Sequence, residues 1–104
     1  MQVSITTEDI FNLYTKGLAA WEAIEGIKIN SHVLGKFLLR IRDLECSTGI
    51  KDLYANIEMD LRRIKGDRYS LKLADGYRLS IKLGEGEVKI LEITPPQPFE
   101  NLLQ

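Results

Sequence analysis

The sequence predicts a single α+β domain in which two N-terminal helices pack on an antiparallel, hairpin-built sheet. Three observations lead there. The first half repeats apolar residues at helical spacing, at Ile10, Tyr14, Leu18, Trp21 and Ile24, and again at Leu34, Phe37, Leu38, Ile41 and Leu44. The second half changes to strict alternation, through Tyr69, Leu71 and Leu73 and then Tyr77, Leu79, Ile81 and Leu83. Ala74-Asp75-Gly76 and Gly84-Glu85-Gly86 punctuate the alternating runs with turn residues.

Val3–Ile5 alternates weakly and fits a short edge strand. Thr6 and Thr7 then precede Glu8 and Asp9, an N-cap followed by acids that favour the positive end of a helix. The first helix is therefore expected over residues 7–24, with Gly17 a weak point inside it and Gly26 its stop. Asn30 or Ser31 caps a second helix over 31–45, which places Lys36, Arg40 and Asp43 away from the apolar stripe. Residues 50–64 fit two periods. Ile50, Leu53, Ile57, Leu61 and Ile64 suit a helix, whereas Ile57, Met59 and Leu61 suit a strand.

Strands are expected over 69–73, 77–83 and 88–93. Asp75-Gly76 resembles a two-residue hairpin turn, but that register sets Leu73 against Arg78 and mixes the faces. A three-residue loop with Gly76 left-handed instead pairs Leu73 with Tyr77, Leu71 with Leu79 and Tyr69 with Ile81. One face is then wholly apolar, and its burial selects the register. A two-residue Glu85-Gly86 loop sets Leu83 opposite Val88 and Ile81 opposite Ile90. The prolines of Thr94-Pro95-Pro96-Gln97-Pro98 end the sheet and open a Pro-rich tail over 94–104.

The 104 residues make one domain over 1–104, and 44% hydrophobic content suffices for one core. No apolar run has the roughly 18 residues of a membrane span, and residues 1–7 lack the features of a signal peptide. Cys46 is the sole cysteine, which excludes an internal disulfide and a Cys/His metal site; it reads as a small hydrophobe at a helix end. His32 is the sole histidine and reads as a capping or surface residue. Gly84-Glu85-Gly86 lacks the Lys and Ser/Thr of a phosphate-binding loop. The expectation is a cytoplasmic protein with no cofactor, no metal and no membrane partner.

Net charge is −1, but it is uneven. Residues 61–82 carry seven Lys/Arg against Asp67 and Asp75, a balance of +5, while the segments on either side are each −3. A basic patch on a mildly acidic protein suits a phosphate-bearing or acidic partner at one place. The hairpin register sets Lys72 opposite Arg78 and Arg68 opposite Lys82. Like charges facing one another across strands repel, and a bound anion relieves this. Arg62, Lys65, Arg68, Lys72, Arg78 and Lys82 thus form a candidate phosphate-contacting face, against the plainer reading of a solvated polar face. Lys65-Gly66-Asp67 is a tight basic turn leading into that face.

Several short segments, in order, resemble the HigB branch of the RelE/ParE-like toxin superfamily, ribosome-dependent mRNA interferases of bacterial toxin–antitoxin modules. They are Lys16-Gly17-Leu18; Ser47-Thr48-Gly49-Ile50-Lys51-Asp52-Leu53; the run from Leu61 through Lys65-Gly66-Asp67 to Leu71; Tyr77-Arg78-Leu79-Ser80-Ile81; and Gly84-Glu85-Gly86-Glu87-Val88. The resemblance spans about residues 16–92. It implies two helices on an antiparallel sheet, and favours a helical turn near 50–55 followed by a strand near 57–63. It implies Lys65 and Arg78 as catalytic residues acting at the scissile phosphate, with Arg62 joining them at a position where the family often has a catalytic His. Arg63, Arg68, Lys72 and Lys82 would contact RNA. The implied partners are mRNA on the ribosome and a cognate antitoxin covering the basic face. One segment departs from the pattern: Ile93-Thr94-Pro95-Pro96-Gln97 stands where the family has an acidic–aromatic–His catalytic segment. The alternative is a non-catalytic member of the fold that binds RNA or protein.

Overall fold

The computed structural model describes residues 1–21 and 28–96. The chain runs β1 (Gln2–Ile5), α1 (Glu8–Lys16), α2 (Ser31–Cys46), α3 (Ile50–Ala55), β2 (Arg62–Lys65), β3 (Arg68–Lys72), β4 (Arg78–Gly84) and β5 (Glu87–Thr94). Single 3₁₀ turns lie at Leu18–Ala20 and Ile57–Met59. The α+β class is as expected, and the helical turn near 50–55 is α3.

Thr7 caps α1, accepting a hydrogen bond from the Ile10 N–H. The helix ends at Lys16, far short of residue 24. Gly17 takes φ 80°, which glycine adopts without steric cost, and its N–H closes the last turn on the Leu13 carbonyl. Leu13 joins Ile10 in the core, while Tyr14 stays 41% exposed and meets Phe37 edge to face. Ile24 and Gly26 of the expected helix lie outside the described residues.

Asn30 caps α2, its Oδ1 accepting from the Val33 N–H at 2.9 Å. Val33, Phe37, Ile41 and Leu44 are buried. Arg40, expected on the polar face, is also buried, at 2% exposure. Its guanidinium donates to the carbonyls of Lys72 and Glu58 at 2.9 and 2.8 Å and pairs with Asp43, so the buried charge is hydrogen-bonded throughout. Cys46 stands at the end of α2 and is exposed rather than packed.

The five-stranded sheet has the order β1-β5-β4-β3-β2. Its contiguous hairpins are antiparallel, but β1 joins β5 in parallel, so the sheet is mixed rather than wholly antiparallel. Leu71 faces Leu79 and Tyr69 faces Ile81, the register read from the sequence. The Leu73 N–H reaches the Tyr77 carbonyl at 2.9 Å and the Tyr77 N–H reaches Ala74 at 3.0 Å, a three-residue loop with a bulge. Gly76 has φ 82°; Asp75 also lies in the left-handed region, at φ 57°. Leu83 faces Val88 and Ile81 faces Ile90 across the Glu85-Gly86 turn, before an irregularity shifts the register so that Ser80 faces Glu92.

The strand expected over 57–63 is corrected. Ile57–Met59 forms a 3₁₀ turn that buries Met59 and leaves Ile57 88% exposed. Asp60 then adopts the left-handed region at φ 45°, and β2 begins only at Arg62. Helices and sheet enclose a core that includes Leu13, Phe37, Leu44, Leu53, Leu71, Leu79, Ile81, Val88 and Ile90. Among the described residues no helix is long and apolar enough to cross a membrane.

Candidate functional site

Strand alternation sends the residues between the core positions to the other face of the sheet. Cross-strand pairing orders them in rows. One row reads Lys65, Arg68, Lys82 and Lys89 on β2, β3, β4 and β5, each directly opposite the next. A second reads Arg62, Ser70, Ser80 and Glu92, and a third Lys72, Arg78 and Thr94. At about 4.8 Å between strands, the first row carries four cations across about 14 Å. Lys82 meets Asp67 at 3.9 Å; among the described residues Lys65, Arg68 and Lys89 have no ion-pair partner.

The third row borders an open groove of about 400 Å³, lined chiefly by Asp60, Arg62, Lys72, Tyr77, Arg78 and Thr94. Arg78 is fixed there. Its Nε donates to Ser70 Oγ at 2.9 Å and Nη1 to Asp60 Oδ2 at 3.0 Å. Nη2 donates to the main-chain oxygens of Asp60 at 2.6 Å and Ser70 at 3.1 Å. Arg62 approaches the same Asp60 carboxylate oxygen at 2.8 Å, yet its side chain is 66% exposed. Lys72 has no ion-pair partner among the described residues. Tyr77 is held by its hydroxyl, which donates to the Lys28 carbonyl.

Burial would raise the Asp60 pKa, but hydrogen bonds and charge from Arg78 and Arg62 outweigh it and hold the carboxyl below its ordinary value. Burial draws Arg78 down, against the bond to Asp60. Asp60 is therefore an ionised acceptor at neutral pH, and Arg78 is an anchored cation joining the chain before β2 to the sheet.

Of the residues expected to act together, Arg62, Lys72 and Arg78 meet in the groove. Lys65, Arg68 and Lys82 lie in the other row, level with the Gly66 turn. Arg68 and Lys72 are the two ends of β3, so Lys65 and Arg78 stand roughly 13 Å apart along the strand direction. Arg63 is opposite Tyr69, on the other face from Arg62, and its Nε donates to the Gly66 carbonyl at 2.9 Å. Asp60 and Lys89 belong to this surface although the sequence reading does not single them out. The acidic neighbours of Lys89 mask it in a charge count, yet the alternation of Val88 and Ile90 places it outward. Among the described residues no group of three or more His, Cys, Asp or Glu could hold a metal ion. Compared with known proteins, the chain matches no family model and no curated protein.

Proposed function

We propose that this chain is a RelE/HigB-like toxin of a toxin–antitoxin module, a ribosome-associated mRNA endonuclease that holds RNA on the outer face of its sheet. The observation that carries the reading is the one-sided cation face, open to solvent while helices cover the opposite face. A single-stranded phosphodiester can cross the strands along such rows, releasing counterions. Cleavage by the 2′-oxygen needs charge at the phosphate, and Arg62 and Arg78 are the groove residues assigned to supply it, with Lys65, at the other end of the strands, assigned to a neighbouring phosphate. A cognate antitoxin with acidic side chains would cover the same face in the cytoplasm.

One observation favours a second reading, RNA binding without cleavage. The groove holds Arg78 with its donors already engaged, and no histidine lines it. The carboxylate that does line it, Asp60, is held below its ordinary pKa by Arg78 and Arg62, which makes it a weak general base near neutral pH. Induced expression, read out by growth and by primer extension on mRNA, separates the two. Growth arrest with new 5′ ends supports the endonuclease. RNA binding without new ends supports the second reading, and failure to bind RNA removes both.

A further inference from the structure

A carboxylate inside a cationic groove weakens the binding of any anion that enters. Asp60 nonetheless occupies this one, and is held there firmly. Its Oδ2 takes hydrogen bonds from Arg62 and Arg78 at 2.8 and 3.0 Å, and its main-chain oxygen takes a third at 2.6 Å. The remaining oxygen, Oδ1, accepts no hydrogen bond among the described residues, and the side chain is 41% exposed. A fixed carboxylate oxygen repels phosphate and accepts from a neutral donor. In a nucleotide, the neutral donors nearest the phosphate are the hydroxyls of the ribose. Arg62 and Lys72 supply exposed charge for the phosphate on the same groove, and Tyr77 lines it too.

We propose that the groove takes a ribonucleotide unit, with phosphate on Lys72 and Arg62 and the 2′-hydroxyl donating to Asp60 Oδ1. Asp60 is then the residue that selects ribose over deoxyribose. The proposal rests on the RNA reading above and adds the group that tells RNA from DNA. A ribonucleotide regains, through one charge-assisted hydrogen bond, what the carboxylate costs its phosphate. A deoxyribonucleotide meets the repulsion without the bond. Because Asp60 remains partly hydrated, the discrimination expected is about tenfold rather than the far larger ratio of a buried site.

The test is fluorescence anisotropy with a short oligoribonucleotide and the uracil-containing oligodeoxyribonucleotide of the same base sequence. Asp60→Asn and Asp60→Gly are the variants, since Asn and Gly both tolerate the left-handed backbone at this position. Asp67→Asn is the charge control. The parent should prefer RNA about tenfold. Asp60→Gly should bring the ratio close to one and Asp60→Asn should lower it, whereas Asp67→Asn should strengthen both ligands and keep the ratio. If both Asp60 variants gain affinity for the two ligands equally, Asp60 is a counter-ion only and the proposal is overturned. A parent protein that binds both ligands alike also overturns it, while the basic face survives as a nucleic-acid surface. Binding to neither removes the RNA reading on which the proposal rests.

Discussion

The outer face carries cations near both ends of its strands, and the two groups are held differently. Near the Asp75-Gly76 loop, Arg78 makes four hydrogen bonds within the protein and shares Asp60 with Arg62. Near the Gly66 and Gly86 turns, Lys65, Arg68, Lys82 and Lys89 stand in a row with one long ion pair, to Asp67. Charge balance alone treats these groups as one patch. The structure separates a cation that holds the fold from cations left to solvent or to a ligand. Substitutions at the two ends should accordingly fail in different assays.

The largest effect expected is on stability at the groove end. Arg78→Ala removes the donor to the Asp60 main-chain oxygen and to two Ser70 oxygens, and leaves the Asp60 carboxylate with Arg62 alone. It should cost about 2–3 kcal/mol in chemical denaturation, while Lys82→Ala stays within about 0.5 kcal/mol. Equal midpoints for the two variants would erase the distinction. Loss of growth arrest in Arg78→Ala must therefore be judged beside its unfolding curve.

The turns extend the contrast. A Cβ at Gly76 would sit 3.1 Å from Pro96 Cβ at a φ of 82°, whereas at Gly66, φ 57°, it would meet nothing within 4 Å. Gly76→Val should cost about 2 kcal/mol, from backbone strain and crowding together, and Gly66→Ala about 1 kcal/mol. A Gly76→Val midpoint equal to that of the parent would show that the loop relaxes freely.

At the other end the effect should appear in binding. Replacing Arg68, Lys82 and Lys89 together by Ala should leave the denaturation midpoint nearly unchanged. It should reduce the salt slope of single-stranded RNA binding by about 2, since each phosphate that the row neutralises adds about 0.7 to that slope. An unaltered slope would mean that the row does not touch the phosphates.

The smallest effect is a pH dependence. Asp60 titrates below its ordinary value of 3.8 when folded, so its contribution to stability is present above that value. It is lost as pH falls through the folded value. The stability difference between the parent and Asp60→Asn should shrink on acidification below 3.8, with the parent losing more. A difference constant from neutral pH to strong acid would assign the Asp60 hydrogen bonds no charge component.

The legible part of this molecule is the part governed by local period. Alternation through Tyr69–Leu73 and Tyr77–Leu83, with burial on one face, is enough to choose the loop length and thus to set Lys72 against Arg78. Asp60 is not legible, because it lies where two periods fit, and its left-handed backbone ends a 3₁₀ turn that buries Met59. Arg40 is misplaced by the pattern for a related reason. A helical wheel assigns it to solvent, and the carbonyls of Lys72 and Glu58, distant in sequence, join Asp43 in making its burial tolerable. The parallel pairing of β1 with β5 has no local signature at all.

That pairing bears on how the molecule is made. Gln2 lies beside Glu87 and Ile5 beside Ile90, so β1 has no sheet partner until β5 has emerged. The β2–β5 hairpins can assemble from neighbouring segments, but β1 must wait and then close a loop that runs from Ile5 to Glu87. During refolding, amide protection at Gln2 and Thr6, whose N–H groups bond Gly86 and Ile90, should arrive after protection in the β3–β4 hairpin. Simultaneous protection would point to a single concerted closure. With delayed closure, a nascent chain stalled before residue 87 holds Val3 and Ile5 as an unpaired apolar edge, open to any other strand it meets.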